Sequence, residues 1–236
     1  MHDVVLEGPG KNALSTAVME TALAALDRCA GAPILVRGAG DAFSAGLNLI
    51  EVAGLDLAGM DRFLSLLEEL LWRLYNYPGP TVALVGGPAI AGGCLVAMCC
   101  DHRVCAADPG LKIGLNEVAI GLRFPAPVLA LAARRVAPQC LDEVILGARL
   151  YGPEDARRVG LVDEVAAAAE AVARQRLEEL ARHPRDAYLD AKRALRAGVR
   201  EGDPERRRSA RAALLPIWTS GELKAKIAGF LASRRR

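Results

Sequence analysis

The sequence predicts an α/β protein with a helical C-terminal third. Three features carry that prediction. Short apolar runs at Ile34-Leu35-Val36, Thr81 to Val85 and Arg103 to Ala106 have strand composition and are too brief for helices. Stretches with apolar residues at helical spacing lie between them. After Pro127 the strand signals fade and helical ones continue to the end. Strands alternating with helices imply right-handed β-α connections and a mostly parallel sheet.

The elements follow in order. Thr16 to Cys29 reads as a helix capped by Ser15 or Thr16, with Val18, Leu23 and Leu26 as its apolar positions. Pro33 opens the first strand, and Gly38-Ala39-Gly40-Asp41 is a turn. Met60 to Tyr75 places Phe63, Leu66, Leu67, Leu70, Leu71 and Leu74 at helical spacing, and Pro78 and Pro80 stop it. Thr81 to Cys100 carries no charge and is long enough to test as a membrane span. Glycines 86, 87, 92 and 93 and Pro88 interrupt it, so it reads as a buried strand, a tight loop and a buried helix from Gly92 to Cys100. Helices are expected over 128–136, 141–146, 153–159, 166–182, 184–197, 204–215 and 220–234. The charge-rich stretches Glu205 to Arg211 and Arg234-Arg235-Arg236 read as a solvated helix face and a tail.

Composition removes several functions. The 236 residues are 52% apolar and 25% charged, which describes a globular, soluble chain with one substantial core. A net charge of +2 gives no basic field for nucleic acid, and 4% aromatic residues are too few for base stacking. Acids at Asp3 and Glu7 and the lack of a long apolar core exclude a secretory leader at the start, so a cytoplasmic location is expected. The six cysteines form no C-x-x-C pair and read as reduced, packed thiols. His2, His102 and His183 lie far apart, so no metal site is expected. A P-loop, a complete dinucleotide fingerprint and a G-x-S-x-G elbow are all missing.

Two glycine-bearing turns remain, Phe43-Ser44-Ala45-Gly46-Leu47 and Ala91-Gly92-Gly93-Cys94-Leu95. Each follows an apolar strand and stands before or at a helix start. Glycine allows close backbone approach, and a helix start offers unpaired N–H groups. Two such donors aimed at one point make an oxyanion hole. The same spacing also fits two tight turns in an α/β core. Glu117, in Gly114-Leu115-Asn116-Glu117-Val118, fits either a surface carboxylate or a catalytic one.

These segments together resemble the crotonase superfamily, the enoyl-CoA hydratase/isomerase family. Lys11-Asn12-Ala13-Leu14 resembles its early N-A-L. Gly40 to Leu49 resembles G-x-x-F-[SC]-A-G-x-D-[LI], with Asn48 in place of Asp. Pro80 to Cys94 resembles P-x-[IV]-A-x-[IV]-x-G-x-[AC]-x-G-G-G, with Ala91 replacing the first glycine of the triplet. Ala156 to Val162 resembles A-x-x-x-G-L-V. The start looks short, as though the family's first strand were missing or truncated.

The resemblance implies a crotonase (ClpP-like) fold, a spiral of β-β-α turns. It implies an acyl-CoA core over residues 1–180 and a helical trimerisation region over 181–236, in a homotrimer or hexamer. Backbone N–H groups of Leu47 and Gly92 are then the oxyanion donors, and the Ala45 carbonyl contacts CoA. No cofactor is implied, since CoA belongs to the substrate. Lys224, Lys226 and Arg234 are candidate contacts for its phosphates. The family's hydratases resemble one another in carrying two glutamates. Here Leu95 stands at the first position and Glu117 at the second. Hydration asks for two acid-base groups, whereas moving a double bond asks for one. The Leu-Asn-Glu setting is similar to single-glutamate Δ3,Δ2-enoyl-CoA isomerases, so isomerisation with Glu117 as base is the expected chemistry, in a pocket that raises its pKa. Hydration, another crotonase chemistry such as thioester hydrolysis or decarboxylation, and non-catalytic acyl-CoA binding are the alternatives. Met60, Phe63, Leu67, Leu71 and Leu95 are candidate acyl-pocket residues. Asp41 and Glu51 read as loop acids, and Asp101 as a cap for the end of the buried helix.

Overall fold

The computed structural model describes residues 1–197, 199 and 204–233. In chain order the elements are β1 (His2–Leu6), α1 (Pro9–Asn12), α2 (Thr16–Cys29), β2 (Ile34–Gly38), α3 (Leu49–Gly54), α4 (Leu57–Tyr75), β3 (Thr81–Val85), β4 (Ala89–Ile90), α5 (Gly92–Cys99), β5 (His102–Ala106), β6 (Ile113–Gly114), α6 (Ala126–Arg135), α7 (Leu141–Ile145), α8 (Pro153–Arg158), β7 (Glu164–Ala166), α9 (Ala169–Ala181), α10 (Arg185–Arg196), α11 (Pro204–Trp218) and α12 (Gly221–Ser233).

The apolar runs pair as parallel strands in the order β1-β2-β3-β5-β7. Each new main strand joins the same edge, so the chain advances as a spiral. The short strands β4 and β6 pair separately, in parallel. Alternation along the strands divides the core. Leu35, Val82, Leu84 and Val104 face α9, where they meet Ala173 and Leu177. Ile34, Val36, Ala83 and Val85 join the larger core with α2, α4 and α5. The α5 helix is buried along its whole length, which explains why its sequence has the hydropathy of a membrane span. No helix among the described residues is long and apolar enough to cross a membrane.

Caps set the helix starts. Ser15 accepts from the Val18 N–H, Asn48 from Ile50 and Glu51, and Asp56 from Gly59. Asn48, which stands where the motif has Asp, thus caps α3.

Three expectations are corrected. Residues 2–6 do form an edge strand, β1, so the first strand is present. A seventh strand, β7, lies inside the region read as helical, because its three half-exposed residues show no apolar run. Helix α11 continues through Pro216 to Trp218, since a proline in the last turn removes only one hydrogen bond.

Candidate active site

The two glycine turns are held together by backbone bonding. The N–H groups of Phe43 and Ser44 both donate to the Pro88 carbonyl, at 3.1 and 3.0 Å. The Ile90 N–H donates back to the Ser44 carbonyl at 3.0 Å. The buried Ser44 hydroxyl donates to the Asn12 carbonyl at 2.8 Å and accepts from the Gly46 N–H at 3.3 Å. Asn12 in turn donates to the carbonyls of Ala39 and Ala42, each at 2.8 Å. The early N-A-L segment is therefore the splint of the first turn.

Contact between the turns is close enough to demand glycine. A Cβ on Gly93 would stand 2.4 Å from the Ser44 carbonyl oxygen. Gly46 has φ +89°, and a Cβ there would stand 2.7 Å from the Ile90 carbonyl oxygen and 3.4 Å from the Gly92 nitrogen. Ala91 has φ 50° and ψ −121°, a conformation that strains any residue with a Cβ. Its N–H donates to the Gly114 carbonyl at 2.8 Å, which ties the second turn to β6. Among the described residues, the N–H groups of Leu47 and Gly92 find no acceptor in the protein.

The turns open on a pocket of about 640 Å³, its mouth included. Ala45, Leu47, Ala91, Gly92 and Leu95 line one side, Leu64 and Leu67 of α4 another. Asn116 and Glu117 enter just after β6. Of the predicted site residues, Ala45, Leu47, Leu67, Gly92, Leu95 and Glu117 meet at this pocket, whereas Phe63 does not line it. That side chain is 1% exposed and packs inside the core, because it lies on the inner side of α4. Met60 and Leu71 are core residues too.

Glu117 is 7% exposed and Asn116 9%. Among the described residues, buried Glu117 Oε2 and Asn116 Oδ1 find no hydrogen-bond partner. Burial among apolar side chains pushes the Glu117 carboxyl up to about 7, against a small opposing pull from its own backbone N–H. Glu117 is the sole carboxylate among the described lining residues. Arg123 also lines the pocket and is exposed.

Leu49, Ile90, Ile120, Phe124, Trp218 and Phe230, which no sequence motif marked, also line the pocket. Trp218 and Phe230 come from α11 and α12, folded back over the core. Their apolar periodicity signals a buried face but not which cavity it covers.

Other predicted residues lie elsewhere. Lys224 donates to the Leu55 carbonyl at 3.1 Å, and Lys226 pairs with Glu222 at 2.8 Å. Arg234, with Arg235 and Arg236, lies outside the described residues. Asp41 is exposed and 3.6 Å from Lys11. Glu51 sits in α3 and accepts from the N–H and hydroxyl of Thr16 at the start of α2. Asp101 does not cap α5, because the end of a helix presents carbonyls. Arg135 does that, donating to the carbonyls of Met98 and Cys100 at 2.9 and 2.7 Å. Asp101 instead accepts from Thr81 N–H, Tyr188 hydroxyl and Lys192, and pairs with Arg196.

A family model described as enoyl-CoA hydratase/isomerase matches residues 2–234. A putative enoyl-CoA hydratase of Thermus thermophilus is 32% identical over 233 residues, covering 95% of this chain and 91% of that one. The mouse protein named enoyl-CoA delta isomerase 1, mitochondrial, is 37% identical over 123 residues, 52% of this chain but only 43% of its own length. Among solved structures, an enoyl-CoA hydratase/isomerase from Xanthobacter autotrophicus Py2 superposes with TM-score 0.81 at 28% identity, covering 99% of this chain and 89% of that one. Human mitochondrial delta3-delta2-enoyl-CoA isomerase superposes with TM-score 0.89 over 99% of this chain and 94% of its own. At 24% identity that match speaks for the fold, which is the crotonase fold.

Proposed function

The chain belongs to the enoyl-CoA hydratase/isomerase family, and on that premise we propose that it converts 3-enoyl-CoA thioesters to 2-trans-enoyl-CoA thioesters with Glu117 as the single acid-base group. One observation carries this reading: among the described residues the pocket is lined by one carboxylate, Glu117, and Leu95 lines it at the position where the resemblance puts the hydratases' other glutamate.

The thioester carbonyl oxygen binds between the N–H groups of Leu47 and Gly92. Ionised Glu117 takes a proton from C2. The C–H electron pair moves into the carbonyl, and the negative charge develops on the oxygen that the two N–H groups face. The protonated Glu117 then returns the proton at C4, and the double bond moves from C3–C4 to C2–C3. No atom is lost and no co-reactant is used. A carboxyl held near 7 suits both halves of this exchange at neutral pH. The apolar wall of Leu64, Leu67, Trp218 and Phe230 supports an aliphatic acyl group. The Ala45 carbonyl is placed at the CoA side in this reading. Residues 181–236 assemble the chain into a homotrimer or hexamer, and the location is cytoplasmic.

A paired-substrate assay tests the reading. With 3-enoyl-CoA and 2-trans-enoyl-CoA of equal chain length, the first is expected to yield the conjugated thioester and the second to resist hydration. Rapid water addition to the second would overturn the single-glutamate reaction.

A further inference from the structure

A second cavity lies beside the C-terminal end of α5, whereas the candidate active site lies at its N-terminal end. The two share no lining residue. The eight-residue helix between them is about 12 Å long. This cavity encloses about 960 Å³, its mouth included. Its lining holds four cations, Arg134, Arg135, Lys192 and Arg196, and one carboxylate, Asp101.

That carboxylate is already committed. Asp101 serves Lys192 at 2.9 Å, the Tyr188 hydroxyl at 2.7 Å, the Thr81 N–H and Arg196. Lys192 is 8% exposed and Arg196 7%. Arg196 Nη1 is buried without an acceptor among the described residues, and the guanidinium carbon lies 4.4 Å from the centre of the Tyr75 ring. Arg134 donates to the Ala197 carbonyl at 3.0 Å. Arg135 spends Nε and Nη2 on α5 carbonyls. Among the described residues its Nη1 has no hydrogen-bond acceptor. Burial and mutual repulsion hold Arg135 below its ordinary pKa, and burial with the Arg196 charge brings Lys192 down to about 8. Burial is the larger cause of both shifts, and the neighbouring cations add to it.

We propose that this cavity binds a phosphate group, either free phosphate or the phosphate of an ester. Four cations against one carboxylate leave an excess that a dianion reduces. Paired guanidinium groups also suit tetrahedral oxyanions through two-point hydrogen bonds. The bound phosphate bridges Arg134 and Arg135 of α6 to Lys192 and Arg196 of α10.

The test is thermal unfolding of the full chain in inorganic phosphate, in adenosine 3′,5′-bisphosphate and in chloride at matched ionic strength. A saturable rise in Tm with either phosphate, and none with chloride, is expected. A rise with the ester alone assigns the site to a bound phosphate ester, and a rise with both to the phosphate group itself. Arg134 is exposed, so Arg134→Gln folds and weakens the effect roughly tenfold, while Arg134→Lys retains most of it. A rise that does not saturate, or one unchanged in Arg134→Gln, overturns the proposal. So does sedimentation showing that Arg134→Gln breaks an assembly on which phosphate has no effect, because an acid from a second copy then fills the cavity.

Discussion

In the proposed reaction Glu117 carries opposite pH demands for catalysis and for stability. Catalysis needs the carboxylate, so kcat/KM for isomerisation is expected to rise with pH and level off above about 7. Stability runs the other way. The folded state holds the proton more tightly than the unfolded chain, whose carboxyl titrates near 4.5. The stabilising contribution is therefore full below 4.5 and lost as pH rises through about 7. Glu117→Gln removes the buried charge. It is expected to be more stable than the parent at pH 8 by about 3 kcal/mol, and so to unfold at a higher temperature, with little difference at pH 4.5. Calorimetry at the two pH values checks this, and a larger gain at the acid end would contradict it. Ala91 offers a second test at this scale. Its left-handed φ is relieved by Ala91→Gly, which is expected to stabilise the chain by about 1 kcal/mol in urea unfolding. A destabilised variant would mean that the methyl group contributes more packing than its backbone costs.

At the scale of elements, the two turns work because other segments splint them. Ser44 links Asn12 to Gly46 through one hydroxyl. Ser44→Ala is expected to cost about 1–2 kcal/mol and to lower kcat more than it raises KM, since the Leu47 N–H is held by this turn. Steady-state kinetics beside urea unfolding separates the two effects. Much of this was legible in the residues. Asn12, Ser44, Gly46 and Gly93 stand in fixed local motifs, and Ser15 and the 81–85 strand carry local signals. What escaped was set by tertiary packing. β7 is a half-exposed edge without an apolar run. Phe63 and Leu67 share one apolar stripe on α4, and only the position of α5 and the pocket decides that Phe63 enters the core while Leu67 lines the cavity. Asp101 sits beside the end of α5 in sequence, but its partners Tyr188, Lys192 and Arg196 are about ninety residues away.

For the whole molecule, the spiral places chemistry at one end of α5 and an ionic anchor at the other. The anchor fastens α10 to the start of β3 through Asp101, Lys192, Arg196 and the Gly79 carbonyl. Asp101→Asn leaves two buried cations without a counter-charge and is expected to cost about 3–5 kcal/mol. Beyond α10 the chain returns across the core, where Arg211 meets Asp61 and Glu68 of α4 at 2.7 and 3.2 Å. That return delivers Trp218 and Phe230 to the pocket. In the proposed function, the region that closes the acyl pocket also serves for assembly. Sedimentation of the parent chain is expected at three or six chain masses.

The central claim is that Glu117 moves the proton. The direct measurement follows the conjugated thioester formed from 3-enoyl-CoA by the parent and by Glu117→Gln, beside CoA-thioester binding to each. The account predicts turnover by the parent, a loss of at least about 100-fold in the variant, and unchanged binding. Equal turnover in the two proteins would contradict it.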